Sequence, residues 1–568
     1  MNLSAAEPYI EPADTNSFPA AEWQAITGPL SMQWVTKDAH FRQRKAPQRL
    51  SGITDTTVTA WRGERIGLEA LIVATKEEGP LSVRLSSLTR GGKKYGAPGS
   101  GAAFMRYVIT TAYNTCGYPS DTIPTFTLAD MIDLPDARVT MEPMTVRPVW
   151  VSVEVPSNLP AGLYTAKVDL MKGGVKKPLK TLTLNVEVAD RSLPAPKDYA
   201  FYLDFWQQPY AISRYYGVKP WSDEHLRLLE PYADMLARAG QKTVSTILFY
   251  EPWGEQSNDK FEPMVETVLL PDSTWQFDYT IFDRYVEWMA SRGIDANISC
   301  FTMIPWDMNF RYFDKGAGEY RYLKTTTSSR EYKQLWTAFL KGLADHTRAK
   351  GWFDKTMIVM DERGLPDMLN AYAVAKEAVP DFKMSLAGNY HRELVDSLDS
   401  YTVIKGDWFP ADVLGRRRDR GFISLLYTCC ATPAPNIFSN NAPADGAYLP
   451  VYATATGFDG YLHWSFTNWT DHPLTDTRFR MFAPGDTYVV YPDGRSSLRY
   501  ERMLEGIQMS EKIRLLRAEL EAAKDAEGLE MLEQALLPVR TGAMTAYYPT
   551  SQVVRDLQMA IERLGRRH

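Results

Sequence analysis

Two adjacent acids close the run Thr356-Met-Ile-Val-Met-Asp361-Glu362-Arg363-Gly364. The apolar residues before them read as a buried strand, and Gly364 with Pro366-Asp367 reads as the opening of a helix. Such a strand delivers both carboxylates to its C-terminal end. In a (β/α) barrel that end is where reacting groups sit. Paired carboxylates there are the equipment of glycosidic-bond hydrolysis. The competing roles for Asp361 and Glu362 are capping of the next helix and pairing with Arg363.

Composition narrows the classes. A chain of 568 residues has room for two or three domains with sizeable cores. Apolar residues make up 45% and charged ones 23%, as in a soluble globular protein. A net charge of −6 and the lack of a basic tract argue against a nucleic-acid partner. Arg416-Arg417-Arg418 reads as the solvated face of a short helix. The 15 Trp and 31 Tyr suit a carbohydrate-active protein, although core packing accounts for most of them.

The four cysteines, Cys116, Cys300, Cys429 and Cys430, make no disulfide framework. Cys429 and Cys430 are expected as small buried residues. The seven histidines share no ligand spacing, so neither metal nor cofactor is expected. No apolar stretch approaches the roughly 18 residues of a membrane span. The start, Met1-Asn-Leu-Ser, has no signal-peptide pattern. The chain fits a secreted or periplasmic enzyme whose signal has been removed, and equally a cytoplasmic protein.

The acids need a scaffold, and the chain supplies one in parts. Period-2 alternation runs through Ile66, Leu68, Ala70 and Ile72, then Val149, Val151, Val153 and Val155. It returns at Tyr164, Ala166, Val168 and Leu170, and at Leu182, Leu184, Val186 and Val188. Such strands, with Gly/Pro turns between them, predict an antiparallel β-sandwich over residues 1–191. Ser192-Leu-Pro-Ala-Pro-Lys197 reads as a linker. Beyond it, strand-like runs near 200–206, 243–249, 295–303, 355–362, 383–389, 401–407, 422–429 and 460–466 alternate with amphipathic helices. Tyr332, Leu335, Trp336, Phe339, Leu340 and Leu343 mark the clearest helix, another covers Asp278–Ser291, and Pro231 should kink a third near 224–238. Eight such units predict a (β/α)8 TIM-like barrel over 198–509, with a doubly wound sheet as the alternative. A C-terminal helical tail should follow over 510–568. The long segments Gln256–Asp272 and Asp307–Thr327 either cover the barrel mouth or are surface excursions.

Three features together resemble one family. Asp361-Glu362 ends the fourth barrel strand. The eighth reads Gly460-Tyr-Leu-His-Trp464-Ser-Phe-Thr-Asn468-Trp469. After a loop come Pro484-Gly485-Asp486-Thr-Tyr488-Val-Val-Tyr491-Pro492-Asp-Gly494 and Ser496-Ser497-Leu498-Arg499-Tyr-Glu501-Arg502. This resembles the catalytic region of glycoside hydrolase family 123, the β-N-acetylgalactosaminidases, which also carry an N-terminal β-sandwich. The likeness covers nearly the whole chain, and Trp464–Glu501 is its most specific part. An Asp-Glu pair alone also occurs in family 20 β-hexosaminidases.

The resemblance implies an exo-acting, retaining hydrolase that removes terminal β-linked N-acetylgalactosamine. Catalysis would be substrate-assisted, through an oxazolinium intermediate. Glu362 would then be general acid and base, and Asp361 would hold the acetamido N–H. An ionised Asp361 should help keep Glu362 protonated. Neighbours on a regular strand face opposite ways, so the strand must twist or end between them to serve one pocket. Strand ends and the following loop nominate Trp306, Asn389, Trp408, Tyr427, Trp464, Asn468, Trp469, Asp486 and Tyr488 for the sugar. His463 should point away from Trp464 and is left out. The alternatives are a β-N-acetylglucosaminidase and a non-catalytic glycan-binding protein on the same scaffold. The partner in each case is a glycan ending in β-N-acetylhexosamine, and the oligomeric state stays open.

Overall fold

A computed structural model describes residues 9–14, 16–48, 50–407 and 409–566. The chain divides into two compact units. One gathers the chain up to Tyr199, Cys430–Thr456 and everything from Thr470 on; the other is Ala200–Cys429 with Gly457–Trp469.

The first unit is a β-sandwich with helices. One sheet carries, among others, Leu30–Val35, Arg65–Ala74, Thr145–Glu154, Gly101–Thr111 and Thr125–Ile132. The other carries Asp55–Arg62, Lys180–Ser192, Gly162–Lys172 and Glu78–Leu85. The alternating residues read from the sequence form the core. Tyr164, Ala166 and Val168 stand opposite Val186, Leu184 and Leu182, all buried, with Ile72, Val149 and Val151 in the same cluster. Pairing is antiparallel except between Asp55–Arg62 and Lys180–Ser192, which run parallel.

The helices Pro443–Ala455, Leu498–Ala523, Ala526–Thr541 and Thr550–Gly565 pack together in this unit. Leu498–Ala523 runs unbroken through residue 510, where the sequence set the start of a tail. Just before it, Ser496–Ser497 pairs with Thr125–Ile132. The unit also holds a disulfide, Cys116–Cys430, which corrects the reading of Cys430 as merely a small buried residue. Spacing gave no hint of it, because 314 residues separate the partners. Cys300 and Cys429 take no part in a disulfide; the first is buried and the second half-buried.

The second unit is an eight-stranded parallel barrel. Its strands are β1 (Tyr202–Phe205), β2 (Thr243–Ile247), β3 (Asn297–Phe301), β4 (Thr356–Met360), β5 (Lys383–Gly388), β6 (Ser400–Ile404), β7 (Ile423–Tyr427) and β8 (Gly460–His463). Their short apolar runs suit strands buried on both faces. β8 closes on β1 at Gly460, where a Cβ would lie 1.8 Å from the Tyr202 carbonyl oxygen. The β1–β2 seam has a single bridge, Leu203 to Gln241. Side-chain amides complete it. Gln241 Oε1 accepts from the Phe205 N–H at 2.9 Å, while Nε2 donates to the Thr243 carbonyl at 2.8 Å.

Three expectations change. No helix joins β5 to β6, because residues 389–399 form turns that are too short a span for a packed helix. The Tyr401 hydroxyl pins them, donating to the Asn389 carbonyl at 2.6 Å and accepting from the His391 N–H at 2.8 Å. The helix Asp223–Arg238 runs through Pro231, which lies on its exposed face, where water can serve the orphaned carbonyl. Arg417 is not solvated. It is fully buried, and its guanidinium donates to Ser424 Oγ at 2.9 Å and to the carbonyls of Leu398 (2.9 Å) and Ile423 (2.6 Å).

The long segments after β2 and β3 build a four-stranded sheet of their own. Its order is Trp275–Asp278, Glu266–Leu269, Asn309–Asp314, Glu319–Lys324.

Candidate active site

β4 ends at Met360, so Asp361 and Glu362 lie just past the regular strand and escape its alternation. They differ sharply in depth. Asp361 is 6% exposed, whereas Glu362 opens to solvent at the rim. Gly388, the last residue of β5, lies directly beside the acid: a Cβ there would be in ordinary contact with Glu362 Cα and Cβ at 3.4 Å.

Asp361 Oδ2 accepts a hydrogen bond from the Trp253 indole N–H at 3.2 Å. Trp253 is held by aromatic neighbours. It stacks on Trp206 with centroids 5.9 Å apart and meets Phe301 and Phe261 edge-on. Burial pushes the Asp361 carboxyl up to about 6, against the pull of Arg363 and of the indole N–H, with the Glu362 charge adding to the rise.

The Glu362 carboxyl is also held above its ordinary value. The cause is desolvation by the walls around it, since an open carboxyl can still lose much of its water to a concave surround. Arg363, a hydrogen bond from the Asn389 side chain and His391 pull the value down, while Asp407 pushes it up. The expected one-way effect, an ionised Asp361 keeping Glu362 protonated, is therefore not the main cause. Desolvation dominates both groups, and Asp361 is the one driven to about 6.

The nominated sugar residues separate clearly. Asn389 bonds Glu362 directly. Tyr427, last in β7 and buried, has its hydroxyl pKa driven up by burial, with the charges of Glu362, Asp407 and Asp361 contributing. Trp306 reaches the pair through Arg363, whose guanidinium carbon lies 3.6 Å from its ring centroid. Trp464 follows β8 and is half-buried; its carbonyl accepts from Gln208 Nε2 at 3.1 Å.

Asn468 is occupied with the chain. It accepts from the Asn258 N–H at 3.1 Å and donates to the Gln256 carbonyl at 3.0 Å, fixing the loop after β2. Trp469 is fully buried among Tyr215, Tyr216 and Tyr232, which leaves its ring no free face. Asp486 and Tyr488 belong to the first unit and are fully buried in it. The Tyr488 hydroxyl donates to the Pro473 carbonyl at 2.9 Å. Trp408 lies outside the described residues.

The sequence reading passed over Trp253, Trp206, His391 and Asp407, and named Arg363 only as an ion-pair partner of the acids. Each follows a barrel strand, which was the available signal. In a chain so rich in tryptophan, however, a loop indole cannot be told from a packing one. Among the described residues, no group of three or more His, Cys, Asp or Glu side chains gathers as a metal-ligand set. No described helix is long and apolar enough to cross a membrane.

A carboxyl open to solvent, with its pKa raised, beside a buried carboxyl gripped by an indole is equipment for acid–base chemistry with a fixed negative charge alongside. Comparison with known proteins agrees. The glycoside hydrolase 123 catalytic-domain family matches residues 206–516, and its N-terminal-domain family matches residues 34–172. Among solved structures, a family 123 glycoside hydrolase from Clostridium perfringens, studied for glycolipid glycan hydrolysis, superposes with a TM-score of 0.83 at 21% identity. The match covers 95% of this chain and 98% of that one. A GH5 xyloglucanase from Bacteroides ovatus reaches a TM-score of only 0.29 at 8% identity, over 84% of this chain and 100% of that one. A β-galactosidase from Marinomonas ef1 reaches 0.33 at 10%, over 56% and 60%. No curated protein matches in sequence. With a catalytic-domain match over more than half its length and an N-terminal match before it, the chain belongs to glycoside hydrolase family 123 and is a glycosidase.

Proposed function

We propose that this glycosidase removes terminal β-linked N-acetylgalactosamine with retention, using the substrate's own acetamide as nucleophile. The observation that carries the reading is the unequal placement of the two acids. Glu362 is open where a leaving group can depart, while Asp361 is buried and bound by Trp253. In the first step Glu362 gives its proton to the glycosidic oxygen as the C1–O bond breaks. The acetamide carbonyl oxygen bonds to C1 and closes an oxazolinium ring. Asp361 accepts the acetamide N–H and offsets the positive charge in a site poor in water, where a fixed charge counts most. In the second step Glu362 takes a proton from water as its oxygen attacks C1, and the ring reopens to the free sugar. No protein–sugar bond forms.

Two further supports are chemical. Tyr427 and Trp253 give the buried end an aromatic wall suited to an acetamido methyl group. The Cys116–Cys430 disulfide suits an oxidising compartment, which supports a secreted or periplasmic enzyme. Paired chromogenic β-N-acetylgalactosaminides, β-N-acetylglucosaminides and plain β-galactosides test the reading. Cleavage of the first well above the second, and hardly any of the third, is the expected result. Cleavage of plain β-galactosides at a comparable rate, or a covalent glycosyl–enzyme trapped on any carboxylate, would overturn it.

A further inference from the structure

We infer that Trp306 is the platform for the first sugar of the leaving group, braced by Arg363 and Gln256. The inference rests on the glycosidase reading above and adds a second sugar position to it.

Trp306 is 46% exposed, an unusual state for an indole that is so firmly held. Its ring N–H donates to Gln256 Oε1 at 3.1 Å, and its backbone N–H donates to the Pro252 carbonyl at 3.2 Å. Gln256 is itself tied to the end of the barrel by Asn468, which donates to its carbonyl at 3.0 Å. The Arg363 guanidinium lies over the ring at 3.6 Å, and its Nη1 donates to the Glu362 carbonyl at 2.9 Å. The ring is therefore held by one hydrogen bond and a cation, on a main chain pinned by a second hydrogen bond, yet much of it is left to water. Rigid, exposed aromatic area of this kind is characteristic of binding surfaces rather than of packing.

Depth says which part of the substrate it meets. Asp361 and Tyr427 are 6% and 7% exposed and mark the closed end. An exo-acting enzyme seats the terminal sugar there. The acid must stand beside the glycosidic oxygen, so the surface flanking it toward solvent receives the next residue. Arg363 follows Glu362 in the chain, and Trp306 covers Arg363. One face of the indole takes the guanidinium. The other suits the C–H face of a sugar, which is also electropositive against the π cloud.

The experiment pairs two probes on Trp306→Ala and Trp306→Phe. One is a disaccharide with N-acetylgalactosamine β-linked to a second sugar. The other is the thiazoline of N-acetylgalactosamine, which fills only the terminal-sugar position. In Trp306→Ala, kcat/KM for the disaccharide should fall roughly tenfold, mainly through KM, while the thiazoline inhibition constant stays unchanged. Trp306→Phe, which keeps a ring for Arg363 and for the sugar, should recover most of the loss. If Trp306→Ala does not fold, Trp306→Leu takes its place under the same criteria. An unchanged disaccharide kcat/KM, or an equal loss on both probes, would overturn the assignment. A wild type inert to β-N-acetylhexosaminides and blind to the thiazoline would overturn the parent reading and this one with it.

Discussion

The indole N–H of Trp253 donates to Oδ2 of Asp361 at 3.2 Å, so an aromatic side chain from the loop after β2 holds an acid at the end of β4. The bond favours the ionised carboxylate against the burial that opposes it. Trp253→Phe keeps the ring and removes the donor. Asp361 should then hold its proton to higher pH. The acid limb of kcat/KM should move to higher pH, with a loss of about tenfold near pH 6 and a smaller one near pH 8. A pH–rate profile checks this; an unmoved acid limb would show that the indole only packs.

Asp361 has its pKa raised on folding, the reverse of a salt-bridged carboxylate. The folded state holds the proton more tightly than the unfolded one, so stability is lost as pH rises from about 4 to about 6 and stays lost at neutral pH. The shift corresponds to on the order of 3 kcal/mol. Asp361→Asn should therefore melt a few degrees higher than wild type at pH 7, and the gain should vanish near pH 4. Its turnover should drop by about 10²–10³. Calorimetry at the two pH values, beside an activity assay, measures both effects, and a variant less stable at pH 7 would contradict the ledger of charge and burial.

Glu362→Gln removes the proton donor while keeping shape and the neighbouring Asn389. Natural glycosides, with poor leaving groups, should lose about 10³–10⁴ in rate, near the upper range for general acid–base catalysis, and aryl glycosides with acidic phenols much less. Equal losses across a series of leaving groups would speak against the acid role.

The Cys116–Cys430 bridge spans 314 residues of chain. Its loss in Cys116→Ser should cost about 2–5 kcal/mol. Thiol titration under denaturing conditions should find two reactive groups before reduction and four after it, since Cys300 and Cys429 lie outside the disulfide. Four before reduction would deny the bridge.

Much of the barrel was legible because parallel strands buried on both faces leave short apolar runs. Each strand lies within a few residues of its sequence reading, and Asp361-Glu362 stands at the end of β4 as expected. The sandwich core was legible for a related reason: Tyr164–Leu170 and Leu182–Val188 each alternate with period 2, so one face had to be buried. What escaped was decided by long-range partners. Cys430 reads as a small apolar residue until Cys116 is placed against it. Arg417 reads as solvated until Ser424 Oγ and the carbonyls of Val395, Leu398 and Ile423 surround it. Asp486 and Tyr488 have the residue types of a sugar site, yet both are buried in the first unit. Trp253 carries no local sign that its N–H will face a carboxylate.

The first unit draws on three separate stretches of chain, and the last begins at Thr470. During synthesis the sandwich strands leave the ribosome early but stay incomplete. Thr125–Ile132 lacks its partner Ser496–Ser497, and Cys116 lacks Cys430, until most of the protein has been made. The N-terminal part must therefore wait with an open sheet edge and an unbridged Cys116 while the whole barrel is translated. A truncation after residue 197 would freeze that unfinished state, so the sandwich is not expected to be recovered as a soluble fragment.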